Sequence, residues 1–446
     1  MTAGNKKSNK KLIEFLIGAG FPRPEDLDPG LFVFNFHKAM DEGLAGRPSD
    51  LGAYPSYLCA APGLPGASSP LTAAVIDAGG TRLRTALAKA GAGGRVSFSG
   101  LSRELMPGVE GELSRRAFFE ALAEKARPAV SRASRIGFCF SYPMEQQSAH
   151  EGRLKTWSKG IKAAEVVGQE VGAGLLEALG YPKNEKKIVL LNDTIAAYLA
   201  APESRQGQPY ASRIGLVLGT GLNAAWGAVS IPKIGYRGPP QAVNLEAGNF
   251  SAFPLGALDN DFLLTISARE GSLEASGPKV RVLNPLEKVT SGAYLGPLLA
   301  HYLKAAAGEG YLSPGAAGRL ASYQNPASRD WDDFIRDPYK DHPLGRVAGG
   351  GEADTAFILG LADRLLERAA GLAACLIAAL LCRCELSGPV CLCVEGSTFW
   401  NMADYRRRIR RRLKGCLRDL GITATYDFVR VKDACLTGAA KAAFGL

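Results

Sequence analysis

KIVLLNDTIAAYLA, residues 187–200, decides how the rest of the chain is read. Ile188–Leu191 is an apolar, β-rich run that stops at Asn192, Asp193 and Thr194, where a helical run begins. A buried strand thus delivers an amide and a carboxylate to the start of a helix. Taken alone, the three polar residues are ordinary helix caps. The other reading is a catalytic base at the carboxyl end of a strand, where open α/β sheets gather ligand-binding groups. The choice between cap and base rests on what the flanking segments bring to Asp193.

On the amino side, Thr72–Ile76 reads as a strand, DAGGT (77–81) as a turn, and Leu83–Ala88 and Val96–Gly100 as further strands. Arg115–Ser131 has helical spacing, and SRIGFCFS (134–141) is a strand ending at Tyr142-Pro143. Val166–Leu179 is expected to be one helix, closed by Gly180. On the carboxyl side, after a polar connection (Pro202–Ser212), RIGLVLGTGLNAAWGAV (213–229) repeats the design of strand, Gly-Thr-Gly turn and strand. A two-copy echo at this distance predicts duplicated domains rather than a solenoid. From Glu287 the chain reads as mainly helical up to a strand at Val390–Val394. Gly396-Ser397, a basic helix (Tyr405–Leu420), a short strand (Thr423–Val431) and a last short helix follow. Residues 1–70 read as one or two helices, through Leu12–Ile17 and Leu31–Leu44, then a Pro/Gly-rich extended segment from Tyr54 to Pro70. Strands alternating with helices give an α/β class.

A chain of 446 residues has room for two domains, each with its own core. Its 46% hydrophobic and 22% charged content is that of an ordinary soluble protein. A net charge of +10 suits nucleic acid or an anionic small substrate and decides neither. Nine cysteines, an odd number without disulfide-scaffold spacing, fit reduced thiols in a cytosol. LIEFLIGAGF (12–21) is short and carries Glu14, so it reads as an amphipathic surface helix rather than a secretory segment. Ala369–Cys382 falls short of a membrane span and reads as a buried helix.

The two Gly-rich turns, Asp77–Thr81 and Gly219–Gly221, are where chemistry is expected. Glycine lets backbone N–H groups approach phosphate oxygens, and threonine adds a hydroxyl donor. Either turn alone is only a turn; in matching contexts they point to a nucleotide held between related domains. No GxxxxGK[ST] sequence is present, which excludes a P-loop. Asp77, at the end of a strand beside the first turn, is suited to holding Mg²⁺ directly or through water.

Seven segments occur in a telling order: IDAGGTRLR (76–84), GFCFSYP (137–143), EGRLKTWSKG (151–160), LLNDT (190–194), IGLVLGTGLNAA (214–225), VNLEAGNF (243–250) and NPLEKVTSGAYLG (284–296). From about Phe36 nearly to the C-terminus the chain resembles the hexokinase family, the eukaryotic-type sugar kinases of the actin-like ATPase (ribonuclease H-like) fold. YPSYLCAAPGLPG (54–66) is similar to that family's lead-in to its first phosphate loop. The resemblance implies two α/β domains flanking a cleft. The small one covers residues 71–199 and the large one 200–446, with the segment 1–70 on the large domain and the last helix able to pack on the small one. It implies ATP, Mg²⁺ and a hexose, with glucose first and mannose or fructose as further candidates. A cytoplasmic setting, with neither nucleic acid nor membrane as partner, is expected.

Residue by residue, the resemblance makes Asp193 the base accepting the proton of the sugar's 6-hydroxyl, with Lys159 adding charge near the transferred group. Ser141, Ser158, Lys159, Asn192, Asp193, Asn223, Glu246 and Glu287 would hold the hexose. Asp77, Gly79, Gly80, Thr81, Arg84, Gly219, Thr220, Gly221, Gly396, Ser397 and Gly438 would form the nucleotide and Mg²⁺ side. There are departures. Arg82 replaces the family's Asn, Ser158 its Thr, and Ala247 the Trp after the sugar-binding glutamate. On the adenine side, Asp-Gly-Ser appears as Glu395-Gly396-Ser397, and Gly-Ser-Gly-Lys-Gly as Ala434–Gly438. These reduced motifs motivate a second reading, a sugar sensor with weak catalysis.

Other features carry less. Cys382, Cys384, Cys391 and Cys393 lack the usual two- to four-residue zinc spacing and read as strand packing. YRRRIRRRLKGCLRDL (405–420) has apolar residues at helical spacing and reads as a surface helix with a solvated basic face. The four histidines are isolated.

Overall fold

The computed structural model describes residues 3–59, 71–91, 94–157, 160–182, 185–276 and 279–445. Helix α1 (Ala3–Gly18) buries Leu12, Phe15 and Leu16. In α2 (Pro29–Leu44) Pro29 fills the first position and Asp28 caps it, its Oδ1 accepting from Gly30 N (2.7 Å) and Leu31 N (3.2 Å). Strand β1 (Tyr54–Cys59) follows, in the segment read as merely extended.

β2 (Thr72–Gly79), β3 (Arg82–Ala90) and β4 (Val96–Leu105) form an antiparallel meander. After α3 (Arg115–Val130), β5 (Arg135–Phe140) returns parallel to β2. After α4 (Val171–Leu179), β6 (Lys187–Leu191) adds parallel to β5. The sheet order is β4-β3-β2-β5-β6. The single helix expected over 166–179 is shorter: Gly168 adopts φ +82°, which breaks the helical path, and the α-helix begins at Val171. β6 leads into α5 (Asp193–Ala200).

The same plan recurs. β7 (Ser212–Leu218), β8 (Leu222–Ile231) and β9 (Tyr236–Asn244) form a second meander. β9 was not foreseen, because Pro239 and Pro240 argue against a strand. They sit where the β8–β9 register shifts, so two missing N–H donors cost the ladder little. Helices α6 (Ala257–Glu270), α7 (Leu295–Gly308) and α8 (Glu352–Leu381) lead to β10 (Val390–Glu395), parallel to β7. After α9 (Tyr405–Asp419), β11 (Tyr426–Val429) pairs parallel with β10, and α10 (Ala434–Phe444) ends the chain. The second sheet runs β1-β9-β8-β7-β10-β11. Apart from β1, its order from meander to parallel strands matches the first sheet.

One face of the first sheet packs on α3 and α4 through Phe118, Leu122, Ile136, Phe138 and Leu175. The other takes α5 and α10 through Val75, Val189, Ile195, Leu436 and Ala439. That contact is close because Gly137 and Gly438 lack side chains. A Cβ on Gly137 would lie 2.1 Å from Ala439 O, and one on Gly438 2.0 Å from Ala196 O. In the second core α8 packs against α1, α2 and α9, and is buried almost all round from Ala369 to Leu381. Among the described residues no helix is long and apolar enough to cross a membrane. Cys391 and Cys393 face inward from β10, as the strand pattern implies.

Candidate active site

β6 stops at Leu191 because Asn192 takes an extended conformation (φ −89°, ψ 175°) and caps α5. Its Oδ1 accepts from Ile195 N (2.9 Å). The cap reading of the opening stretch therefore falls to Asn192. Asp193 becomes the first helical residue, half-buried, with Oδ1 accepting from Thr194 N (2.8 Å). The N-terminal end of a helix is a favourable place for a carboxylate charge. Thr194 is fully buried, and its Oγ1 shares one proton between Asn192 Oδ1 (3.0 Å) and Asn244 Oδ1 (3.2 Å).

Asn244 is the hub of a polar cluster beside Asp193. Its Oδ1 also accepts from Asn223 Nδ2 (2.9 Å), and its Nδ2 donates to Glu246 Oε1 (2.7 Å). Asn223 Oδ1 accepts from Ala224 N (2.7 Å) and Ala247 N (3.1 Å), which holds the two β-turn segments together. Glu246 sits in the left-handed region at φ 55°, uncommon for a side chain of this kind. Burial pushes its carboxyl above the ordinary range, the Asn244 bond opposes this, and the Asp193 charge adds to it. Glu287 Oε2 accepts from Leu222 N (2.8 Å), and a Cβ at Gly221 would lie 2.6 Å from that oxygen. Next to it the buried Lys288 anchors the turn, donating to Ser272 Oγ (2.7 Å), Leu283 O (2.8 Å) and Ser267 Oγ (2.9 Å). Burial lowers its pKa.

Across the cleft, the β2–β3 register sets Asp77 opposite Arg84. Arg84 Nε and Nη2 hold Asp77 Oδ2 (2.7 and 2.5 Å), while Nη1 reaches Asp433 Oδ1 (2.8 Å) at the start of α10. Asp77 Oδ1 is buried and takes no hydrogen bond. Burial raises the Asp77 carboxyl, with Arg84 opposing. In the first turn Gly80 has φ +55°, its carbonyl accepts from Tyr142 OH (2.5 Å), and Thr81 is exposed. Ser141, directly after β5, donates its N–H to Ala78 O (3.0 Å).

In the second turn Gly219 N donates to Gly221 O (3.0 Å), and Gly219 O accepts from Gly292 N (2.7 Å) and Thr398 Oγ1 (2.8 Å). Thr220 O accepts from Ser291 Oγ (2.8 Å). Gly396 lies against this turn at φ +124°, where a Cβ would come within 2.3 Å of the Leu218 carbonyl. Only glycine lets β10 end there. Ser397 is exposed beside it. Burial raises the Glu395 carboxyl; Arg84 opposes this, and the Asp77 and Asp193 charges add to it.

The Asp193 charge therefore acts on Glu246, Asp77 and Glu395 alike. Ser158 and Lys159 fall outside the described residues. Just before them, Trp157 donates from Nε1 to Ala163 O (2.6 Å) and packs edge-on against Tyr142. Gly438 is a contact point of α10 on α5. Two residues were missed. Asn244 stands two positions before Glu246 in VNLE, where the strand pattern hid it, and Asp433 meets Arg84 only through the tertiary fold.

The donor set at Asp77 is compatible with a hydrated Mg²⁺ ion. A carboxylate with one oxygen on an arginine and the other buried without a partner is able to take a water of hydrated Mg²⁺. The close approach of Gly396 to Gly219 leaves no side chain between these two backbone segments, which suits the approach of phosphate oxygens.

Two family models described as hexokinase match residues 31–202 and 213–444. Hexokinase-2 of Solanum tuberosum is 30% identical over 216 residues, 46% of this chain and 39% of that protein. Hexokinase-1 of Schizosaccharomyces pombe is 27% identical over 287 residues, 60% of this chain and 55% of that protein. The alignments thus span about half the length of these curated relatives. The structure of a Schistosoma mansoni hexokinase complexed with glucose superposes with a TM-score of 0.74 at 20% identity, covering 99% of this chain and 100% of that one. The fold is the actin-like ATPase fold. With both family models matched in order over nearly its whole length, the chain belongs to the hexokinase family.

Proposed function

We propose that this protein transfers the γ-phosphoryl group of ATP to the 6-hydroxyl of a hexose, glucose first, with mannose and fructose as further candidates. The observation that carries this reading is the position of Asp193. It stands at a helix start, and its charge acts on Glu246 of the Asn223/Asn244/Glu246 cluster and on the carboxylates of Asp77 and Glu395. Thr194 N fixes one carboxylate oxygen, and the other takes the proton of the attacking hydroxyl.

Glu246, Glu287 and Asn223 supply acceptors and donors for ring hydroxyls, joined by Ser141, Ser158, Lys159 and Asn192 from residues 71–199. A site built this way rejects analogues that lack a hydroxyl. Lys159 adds positive charge near the transferred group. The turns at Gly79–Thr81 and Gly219–Gly221, with Arg84, Gly396 and Ser397, hold the phosphates. Asp77 holds Mg²⁺, which when bound neutralises phosphate charge as the transferred group becomes loose. Residues 71–199 and 200–446 act as lobes that close on the sugar and exclude water, the competing acceptor. A cytoplasmic setting fits nine free cysteines.

A coupled assay of ADP release over a panel of hexoses tests this. Turnover with glucose is expected, and Asp193→Ala is expected to lower kcat by at least ~10³-fold while sugar binding, read by calorimetry, survives. Sugar binding by the wild type without turnover at millimolar ATP overturns the kinase reading in favour of a sensor.

A further inference from the structure

Behind the first phosphate turn, three elements end in one buried cluster. Asp77 lies near the end of β2, Cys139 near the end of β5 and Cys435 in the first turn of α10. A carboxylate oxygen of Asp77 and the two sulfurs all lie within 4.8 Å of one another, and all three residues are buried. Both cysteines are free. Asp77, 4% exposed, gives Oδ2 to Arg84 and leaves Oδ1 buried without a partner. The cysteines are far apart in sequence and follow no ligand spacing, so only the fold assembles this set.

We propose that Asp77, Cys139 and Cys435 form a binding site for a thiophilic divalent cation, Zn²⁺ first. Tetrahedral zinc takes sulfur at about 2.3 Å and carboxylate oxygen at about 2.0–2.2 Å, which puts donor atoms about 3.3–3.8 Å apart. The three donors reach that by closing about 1.5 Å or less. Two sulfurs select Zn²⁺ or Cd²⁺ over Mg²⁺, which demands oxygen donors and octahedral geometry. Three protein ligands leave the fourth position to a water, and Ser141 Oγ lies 3.8 Å from Cys139 Sγ. Each thiol releases its proton to solvent as the metal binds. The consequence for turnover rests on the kinase reading: an Asp77 oxygen bound to Zn²⁺ no longer serves the Mg²⁺ that accompanies ATP, so Zn²⁺ inhibits.

The test titrates the fully reduced chain with Cd²⁺, following thiolate-to-metal absorption, and counts Zn²⁺ by equilibrium dialysis. One equivalent is expected in the wild type that is missing in Cys139→Ser and in Cys435→Ser. It is expected to weaken at least ~10-fold in Asp77→Asn and to survive in Cys375→Ser, whose sulfur forms a separate close thiol contact with Cys416 (3.7 Å). Circular dichroism confirms that each variant is folded, and a Zn²⁺-dependent rise in melting temperature confined to chains with both cysteines gives a second readout. Equal stoichiometry and affinity in wild type, Cys139→Ser and Cys435→Ser overturn the site. In the ADP-release assay, filling the site is expected to lower turnover, with recovery on adding a chelator; full occupancy with unchanged turnover overturns the inhibition. A chain that binds Zn²⁺ in this way but phosphorylates no hexose keeps the site and removes the kinase reading, so the two failures are distinct.

Discussion

At the scale of single residues, the division of labour between Asn192 and Asp193 is the central feature. Because the amide caps α5, the carboxylate is spared that role. Asn244 is the residue that makes this arrangement rigid, since it bonds Asn223 and Glu246 and touches Thr194 at once. Asn244→Leu keeps the volume and removes these bonds, leaving buried polar partners unsatisfied at a cost of about 1–3 kcal/mol. The expected result is a lower urea midpoint together with a KM for hexose raised at least ~10-fold, measured by steady-state kinetics. A pH effect belongs to the same cluster. Burial raises the Glu246 carboxyl, so the folded chain keeps a proton that the unfolded chain has already released. Stability from this group is therefore full below the ordinary carboxylate value, about 4.3, and is lost as pH rises through the raised folded value. Urea unfolding between pH 4 and 8 is expected to show a smaller loss with rising pH in Glu246→Gln than in wild type.

At the scale of elements, glycines decide how closely helices approach sheets. Gly438, read as part of a nucleotide motif, has a steric role in the structure: α10 reaches α5 only because no Cβ intervenes. Gly438→Val is expected to cost about 1–3 kcal/mol or more in urea unfolding, because the backbone of α5 cannot yield as a side chain would. α8 has a different anchor. Arg368 on α8 meets Asp259 on α6 (2.5 Å) in a buried pair, and Tyr302 on α7 donates to the same carboxylate (2.8 Å). Asp259→Ala leaves a buried guanidinium unpaired and is expected to cost about 3–5 kcal/mol, read by chemical denaturation. The basic helix α9 shows why a run of arginines need not be a binding stripe. Arg408, Arg411 and Arg412 all pair with Glu367 on α8, so part of the charge is spent inside the fold.

At the scale of the whole molecule, two sheets of matching order each contribute residues to the candidate site. Ser141 and Asp77 come from the first, Asn223 and Glu395 from the second, and Asp193 follows the last strand of the first. A ligand that joins both stabilises the folded chain by mass action. Glucose at a hundred times its Kd is expected to add about 2.7 kcal/mol, seen as a rise in melting temperature that Asn223→Ala diminishes. No shift at saturating glucose would contradict the sugar site.

The sequence by itself determined the α/β alternation, the two Gly-Thr turns, the strand-to-helix junction at Asp193 and the hexokinase family. Each is written in local periodicity or in an unbroken motif. It also determined that Cys391 and Cys393 are strand packing. Only the tertiary structure decided the rest: that Asn192 and not Asp193 is the cap, that Gly438 spaces helices, that Arg84 links Asp77 to Asp433, and that Cys139 and Cys435 meet. These depend on backbone conformation or on contacts between distant segments. No periodicity records which side chains a crossover connection will bring together.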